Sequence, residues 1–175
     1  MKSNKKLFIV LITGPMGSGK TTVSKILHSK LKRTALISLD HIKKFISDFK
    51  RETKDNEISR NVILAMTKEY LRQNISVIIE QALSLGQINK FQKIADKYKA
   101  NYFVYQLDAP RKILEKRIKQ RTEIPGKQKV SKERIVKNYN FHLENKYSKA
   151  IILDSEKLTP EKIASLIIKD VKNTL

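Results

Sequence analysis

Cysteine is absent from the sequence, which excludes disulfide bonds, thiolate zinc sites and cysteine nucleophiles. No run of roughly eighteen apolar residues occurs, so the sequence predicts no membrane-spanning helix and no membrane partner. The opening residues, MKSNKK, lead straight into an apolar run and are too short for a secretory signal. Together these absences predict a cytoplasmic protein. Its 175 residues are enough for one domain with a single core, so we expect residues 1–175 to form one domain.

Acidic residues are scarce beside basic ones, with 17 Asp and Glu against 37 Lys and Arg, which gives a net charge of +20. Two explanations stay open. A basic surface attracts the phosphates of nucleic acid. However, 29 of the basic residues are lysines scattered along the chain, and Ile and Asn are also abundant, which favours a general compositional bias. The charge would favour any phosphate-bearing ligand and does not decide between these explanations.

Residues 14–22 read GPMGSGKTT and contain the phosphate-loop pattern G-x-x-x-x-G-K-[ST]. Gly14, Gly19, Lys20 and Thr21 occupy its fixed positions. Glycines let such a loop wrap closely around a phosphate, because positive φ angles cost them little. The lysine reaches the β- and γ-phosphates, and the hydroxyl of the next residue binds Mg²⁺. The pattern therefore predicts that a nucleoside triphosphate is bound, with Lys20 among the catalytic residues.

The residues around the loop support this interpretation. An apolar run, Leu7–Thr13, precedes the loop and predicts a buried strand, and a helical stretch, Thr21–Lys30, follows it. The amides of the turn and the positive end of the helix dipole then point at one anion. The predicted nucleotide-binding residues of the loop are Gly14, Gly17, Ser18, Gly19, Lys20, Thr21 and Thr22.

Short apolar runs alternate with helical stretches along the chain, as in β-α units around a parallel sheet. Each run is nearly continuous in apolar residues, as expected for strands that helices cover on both faces. The predicted strands are Leu7–Thr13, Thr34–Leu39, Ser76–Ile79, Tyr102–Leu107 and Ala150–Leu153. The predicted helices are Thr21–Lys30, His41–Phe49, Ile58–Arg72, Gln87–Lys99, Pro110–Gln120, Lys132–Leu143 and a last one with Thr159 as its N-cap.

Two acidic residues follow predicted strands, at the edge where ligands bind in such sheets. Asp40 follows the second strand and could orient an attacking hydroxyl or accept its proton. Asp40 could also cap a helix that begins at His41. Glu80 follows the third strand and resembles the acid that holds Mg²⁺ in phosphate-loop proteins, so Thr21 and Glu80 are the predicted metal ligands. Glu80 could instead be the base, and the choice between the two acids stays open.

Arg117 and Arg121 are four residues apart and share one face of a predicted helix. Two guanidinium groups suit a transferring phosphoryl group, or one phosphate contact and one contact with a base. A solvated basic face is the alternative, because Lys112, Lys116 and Lys119 make this helix basic anyway. The polar loop that follows, Thr122–Lys129 (TEIPGKQK), could close over the phosphates and exclude water. We expect a lid over about residues 122–131; an ordinary surface loop is the other interpretation.

Taken together, these residues resemble the nucleoside-monophosphate-kinase-like branch of P-loop kinases. Within it they are similar to the small kinases grouped with chloramphenicol phosphotransferase, gluconate kinase and the kinase domain of polynucleotide kinase. The resemblance covers most of the chain. It depends on GPMGSGKTT, Asp40 after the second strand, DAPRKILEKRIKQR ahead of a lid, and ILDSEKLTPEKI near the end. Only the first of these segments is highly specific, and the others contribute through their order and spacing.

The resemblance implies an α/β, three-layer P-loop NTPase fold with a five-stranded parallel sheet in the order 2-3-1-4-5 and a small lid. It implies that Asp40 acts on the acceptor hydroxyl. It places Arg117 near the adenine and Arg121, as a catalytic residue, on the phosphates. It also implies that the acceptor pocket forms from about residues 41–72. No acceptor-binding signature of shikimate or adenylate kinases is present in the sequence, so the acceptor is not identified.

The favoured hypothesis is a kinase that moves the γ-phosphate of ATP, with Mg²⁺, to a hydroxyl of a small molecule, nucleoside or nucleotide. A polynucleotide 5′-hydroxyl kinase is the alternative, since nucleic acid is an acceptor that the +20 charge would favour. The sequence shows no aromatic-rich basic groove of the kind on which single strands stack. A regulatory ATP- or GTP-binding module is a weaker third hypothesis, because Asn145 and Lys146 are followed by Tyr147 and Ser148 and do not complete a guanine-reading N-K-x-D. The oligomeric state stays open.

Overall fold

A computed structural model describes residues 6–50, 53–125 and 129–174. Five strands and seven helices alternate along these residues. In chain order they are β1 (Phe8–Thr13), α1 (Lys20–Lys30), β2 (Thr34–Ser38), α2 (Leu39–Lys43), α3 (Thr53–Arg72), β3 (Ser76–Glu80), α4 (Leu85–Lys97), β4 (Asn101–Asp108), α5 (Arg111–Thr122), α6 (Lys132–Glu144), β5 (Ile151–Asp154) and α7 (Pro160–Asn173).

The strands form one sheet in the order β2-β3-β1-β4-β5, and every neighbouring pair is parallel. This confirms the predicted fold class and strand order. β1 lies at the centre, between β3 and β4, so the loop that follows β1 leaves the middle of the sheet at its carboxyl edge. The strand order changes direction at this point, which is where open α/β sheets bind their ligands.

The continuous apolar character of the strands follows from their burial on both faces. Every residue of β1 is buried. Ile9 and Leu11 face one side of the sheet, and Val10 and Ile12 face the other. The first side packs against α3 and α4 through Ile63, Ile88, Phe91 and Ala95. The second side packs against α1 and α7 through Val23, Leu27, Ile163 and Ile167.

The first helix after β2 differs from the sequence prediction in both its length and its N-cap. The helix predicted over His41–Phe49 is a short helix, α2, that begins at Leu39 and ends at Lys43, and hydrogen-bonded turns continue to Phe49. Its N-cap residue is Ser38, so Asp40 lies inside α2 and does not cap a helix that begins at His41. The apolar residues Phe45, Ile46 and Phe49 suggested a longer helix, but Phe45 is 79% exposed, so these residues do not form the buried face that would stabilise one.

The last helix follows its prediction closely. The Thr159 side chain accepts a hydrogen bond from the Lys162 amide, and Pro160 is the first helical residue.

No helix of the described residues combines the length and apolarity that crossing a membrane requires. Residues 51 and 52 of the predicted acceptor region and residues 126–128 of the predicted lid lie outside the described residues.

We expect Ile63→Ala to lower the free energy of unfolding by about 2–5 kcal/mol, because this side chain of α3 is fully buried against the sheet and its removal leaves a cavity. Urea denaturation measures this change. Ile58→Ala on the same helix is the matched control: Ile58 is 43% exposed, and its truncation should change stability by less than about 0.5 kcal/mol. Equal losses in the two variants would contradict this assignment of the α3 core face.

Candidate active site

The loop between β1 and α1 has a backbone that other residues could not adopt without strain. Gly14 has a φ of 138°, and a Cβ atom built on it would lie 2.3 Å from the Leu107 carbonyl oxygen of β4. Gly19 has a φ of 92° and precedes α1 in the left-handed conformation. The predicted loop glycines therefore occupy positions that this backbone path restricts to glycine.

The N-terminus of α1 is open to an anion. Gly19 has no side chain that could cap the helix, and the first turn of α1 carries no acidic residue. The first amides of a helix have no partner within the helix, and the helix dipole makes this end positive. Residues 16–23 all line one large cleft in front of this helix end. The loop and helix can thus receive a phosphate in the way that the sequence predicts.

Lys20 begins α1, and its ammonium group donates a 2.8 Å hydrogen bond to the Pro15 carbonyl of the loop. Burial lowers the pKa of Lys20 from its usual value, while the negative charges of Glu80 and Asp40 act in the opposite direction. Arg121 adds a smaller lowering effect on the same pKa. Four of the five predicted charged residues, all except Arg117, therefore lie near enough to interact through their charges.

Glu80 joins the loop to the neighbouring strands. Its carboxylate accepts hydrogen bonds from the Thr21 hydroxyl at 3.2 Å and from the Ser38 hydroxyl at 2.9 Å. Glu80 is buried, and Ser38 lies directly opposite it in the β2–β3 register. A buried carboxylate is costly unless it is hydrogen-bonded, and these two hydroxyls supply the bonds.

The oxygens of Thr21 and Glu80 fit a magnesium site, since Mg²⁺ prefers oxygen ligands and takes few of them from protein. Their separation of 3.2 Å brings both oxygens to one point beside the phosphate loop. No cluster of three or more His, Cys, Asp or Glu residues that could hold a metal is found in the described parts of the chain. A magnesium ion held here would accordingly need water and phosphate oxygens as further ligands.

Asp40 lines the same cleft as the loop and is exposed. It lies two residues after Ser38, so the pairing of Ser38 with Glu80 brings Asp40 to the carboxyl edge of the sheet beside the loop. An exposed carboxylate in this position can contact a second molecule, whereas the Glu80 carboxylate already accepts hydrogen bonds from two hydroxyl groups. His41 is exposed and does not line the cleft.

On the other side of the loop, Arg117 is fixed by the residues that follow β5. Its guanidinium donates to the Ser155 carbonyl at 2.7 Å and to the Ser155 hydroxyl at 3.3 Å. Ser155 in turn donates from its backbone amide, 2.8 Å, and from its hydroxyl, 3.0 Å, to the Asp108 carbonyl. Arg121 is exposed one helical turn further on and lines the cleft with Arg117.

Three residues that hold this arrangement were not found by sequence reasoning. Ser38 looks like any polar residue at the end of a strand. Ser155 lies in the segment ILDSEKLTPEKI, which contributes to the resemblance, but nothing in the sequence singles out this serine. The Asn138 side chain of α6 accepts a 2.6 Å hydrogen bond from the Met16 amide of the phosphate loop, across 122 residues of chain. No local signal could have found Asn138, because its partner is fixed by the packing of α6 over the cleft.

A parallel sheet in this order, with an intact phosphate loop after its central strand and acids at the ends of β3 and β2 on one side of it, defines a P-loop nucleotide-binding protein. The family model described as an AAA domain matches residues 9–145. The chain belongs to this family and is a P-loop kinase.

The relatives are kinases with different acceptors. The chain is 28% identical over 176 residues to the cytidylate kinase of Sulfolobus acidocaldarius, covering 91% of each chain. It resembles a gluconokinase from Sinorhizobium meliloti 1021 with a TM-score of 0.70 and 13% identity, over 95% of each chain. It also resembles the APS kinase CysC of Mycobacterium tuberculosis in complex with AMPPNP and APS, with a TM-score of 0.69 and 15% identity, over 95% of this chain and 98% of that one. The two structural likenesses show the fold alone.

We expect Gly14→Ala to abolish measurable ATP binding, because the new Cβ atom would overlap the Leu107 carbonyl and displace the loop. Isothermal titration calorimetry with ATP measures the loss. Gly86→Ala is the matched control, since Gly86 lies in the first turn of α4 with nothing within 4 Å of its built Cβ. This control should bind ATP normally and be equally or slightly more stable, by up to about 1 kcal/mol. Normal ATP binding by Gly14→Ala would show that the loop does not require this backbone.

Proposed function

We propose that the protein is an ATP-dependent phosphotransferase that moves the γ-phosphate of ATP to a hydroxyl group of a small molecule, nucleoside or nucleotide. The observation that carries this proposal is the exposed carboxylate of Asp40 in the same cleft as the phosphate loop. The cleft has a volume of about 1670 Å³. A site for one ligand typically measures about 300–1,000 Å³, so this cleft has room for two substrates.

On the nucleotide side, the loop amides, the α1 N-terminus and Lys20 would hold the triphosphate. Arg117, fixed on Ser155, would lie against the adenine, and Arg121 would contact the phosphates. Thr21 and Glu80 would hold Mg²⁺, which when bound neutralises charge on the β- and γ-phosphates. The lid expected over residues 122–131 would close over this half of the cleft.

On the acceptor side, Asp40 would orient the hydroxyl and take its proton. The hydroxyl oxygen forms a bond to the γ-phosphorus, the bond from this phosphorus to the β,γ-bridging oxygen breaks, and ADP leaves with the bonding electrons. Lys20 and Arg121 would stabilise the charge that develops on the transferring group and on the leaving oxygen. Asp40 is favoured over Glu80 as the base, because the Glu80 carboxylate is buried and occupied by Thr21 and Ser38.

The relatives support the reaction and leave the acceptor open. The cytidylate kinase is named for a nucleotide acceptor, and such an acceptor offers a phosphate oxygen that carries no proton to remove. A hydroxyl acceptor needs a proton acceptor in the transition state, which can contribute roughly 10²- to 10⁴-fold in rate. The presence of Asp40 in the cleft therefore favours a hydroxyl.

We expect Asp40→Asn to lower kcat for phosphoryl transfer by about 100-fold or more while ATP affinity changes little, because the amide cannot accept the hydroxyl proton. ADP release in the presence of nucleosides, sugars, aminoglycoside and chloramphenicol-type alcohols measures transfer, and calorimetry measures ATP affinity. Asp96→Asn on α4, an exposed site that does not line the cleft, is the charge-matched control and should behave as wild type. Full turnover in Asp40→Asn would exclude Asp40 as the base; no acceptor-stimulated ADP release above the Lys20→Ala background would contradict the kinase proposal.

A polynucleotide 5′-hydroxyl kinase is a second candidate, favoured by the net charge of +20. If nucleic acid is the acceptor, the affinity for a 5′-hydroxyl oligonucleotide should fall steeply with salt. The slope of log K against log salt is then about −0.7 for each single-strand phosphate contacted. Fluorescence anisotropy across a salt series measures this slope. A flat salt response, or no phosphorylation of the oligonucleotide, would exclude this candidate.

A further inference from the structure

Three buried polar atoms of the cleft have no hydrogen-bond partner within the described ranges of the chain. One, Oγ of Ser18, belongs to the phosphate loop, and the other two are Nε of Arg60 on α3 and Oε1 of Gln81, the residue after β3. Arg60 and Gln81 both line the cleft, and Gln81 is only 5% exposed. A buried polar group without a partner destabilises a protein, and a native structure rarely keeps two in one place without a ligand to satisfy them.

Both atoms lie on the acceptor side of the cleft. Gln81 follows Glu80, and Asp40 follows Ser38 by two residues, so the Ser38–Glu80 pairing brings Asp40 and Gln81 to neighbouring strand ends. Arg60 comes from α3, which packs against the α2 helix that carries Asp40. The nucleotide-side arginines, Arg117 and Arg121, by contrast, come from α5, which follows β4 on the other side of β1.

The side chains that line the acceptor side of the cleft carry more positive than negative charge, and a neutral hydroxyl compound would have no use for this excess. Lys43, Lys44 and Arg60 line it, against Asp40 and Asp48. Lys43 already lies over the Phe49 ring at 5.4 Å from its centroid, so Arg60 is the cation with an unused buried donor. Guanidinium groups bind phosphate and carboxylate in a bidentate fork, a geometry that lysine cannot reproduce.

We propose that the acceptor carries an acidic group, a phosphate or a carboxylate, in addition to the hydroxyl that is phosphorylated, and that Arg60 binds this group. Oε1 of Gln81 accepts a hydrogen bond from a neighbouring donor, such as a hydroxyl group, of the same molecule. Asp40 and Arg60 thereby fix the acceptor at two points, the hydroxyl and the acid. This inference rests on the proposed function, since it describes the second substrate of the same site.

Calorimetric titration of the protein saturated with Mg²⁺ and AMPPNP tests this proposal, because the filled nucleotide site cannot then take the added anion. Two matched pairs of probes differ in their acidic group: ribose 5-phosphate with ribose, and gluconate with sorbitol. We expect the acidic member of at least one pair to bind about 10- to 100-fold more tightly than its neutral partner, because a charge-assisted hydrogen bond to Arg60 would add this much affinity. The first pair reports a phosphate and the second a carboxylate.

Arg60→Met should remove the preference for the acidic probes. Arg60→Lys should keep only part of it, because the positive charge remains but the bidentate hydrogen bonding of the guanidinium group is lost. Lys68→Met, an exposed charge on the same helix that does not line the cleft, is the control and should retain the full preference. Thermal unfolding of each variant checks that it is folded. If no acidic probe binds more tightly than its neutral partner, or if Lys68→Met loses the preference as Arg60→Met does, the proposal is overturned.

The same titrations separate this proposal from the proposed function. They measure binding of the acceptor without any transfer, so a preference that depends on Arg60 stands even if ADP release shows no kinase activity. Conversely, transfer that depends on Asp40 to a neutral acceptor, with no effect of Arg60→Met on its KM, would support the proposed function and overturn this inference alone.

Discussion

The arrangement of the cleft depends on the buried carboxylate of Glu80. It accepts one hydrogen bond from Thr21 at the start of α1 and one from Ser38 at the end of β2, while its own backbone ends β3. A carboxylate taken out of water loses much hydration energy, which short bonds to hydroxyl groups and the nearby Lys20 charge offset. Since these bonds connect three elements, the phosphate loop cannot shift against β2 and β3 without leaving a buried charge unpaired.

The pairing of Glu80 with Ser38 also positions the acceptor half of the cleft. Asp40 lies two residues beyond Ser38, and Gln81 lies one residue beyond Glu80, so both are positioned by the same pair of opposite residues. On the other side of β1, the bonds of Arg117 to Ser155 connect α5 to the segment after β5. The sheet order 2-3-1-4-5 thus places the loop between an acid-bearing half and an arginine-bearing half.

The sequence predicts local features of this structure well and long-range ones poorly. The strands could be found because both faces of a parallel sheet are buried, which leaves continuous apolar runs such as FIVLIT. The phosphate loop and the Thr159 cap are also local, since each depends on residues within one turn. The bond between Asn138 and Met16 depends on how α6 packs over the loop, and no short pattern encodes that packing. The shortness of α2 was missed for a related reason, because a helix that turns toward a cleft is ended by its tertiary surroundings and not by a terminating residue.

A matching ligand would gain hydrogen bonds in both halves of the cleft. On the nucleotide side, the Ser18 hydroxyl is buried without a partner among the described residues, and the first amides of α1 have no partner within the helix. On the acceptor side, Nε of Arg60 and Oε1 of Gln81 are the corresponding buried atoms. A ligand that lacks the matching group would leave these atoms unpaired, which is how a site built from polar groups rejects a wrong substrate. The polar groups of both substrates, and not only their shapes, should therefore determine which molecules the cleft accepts.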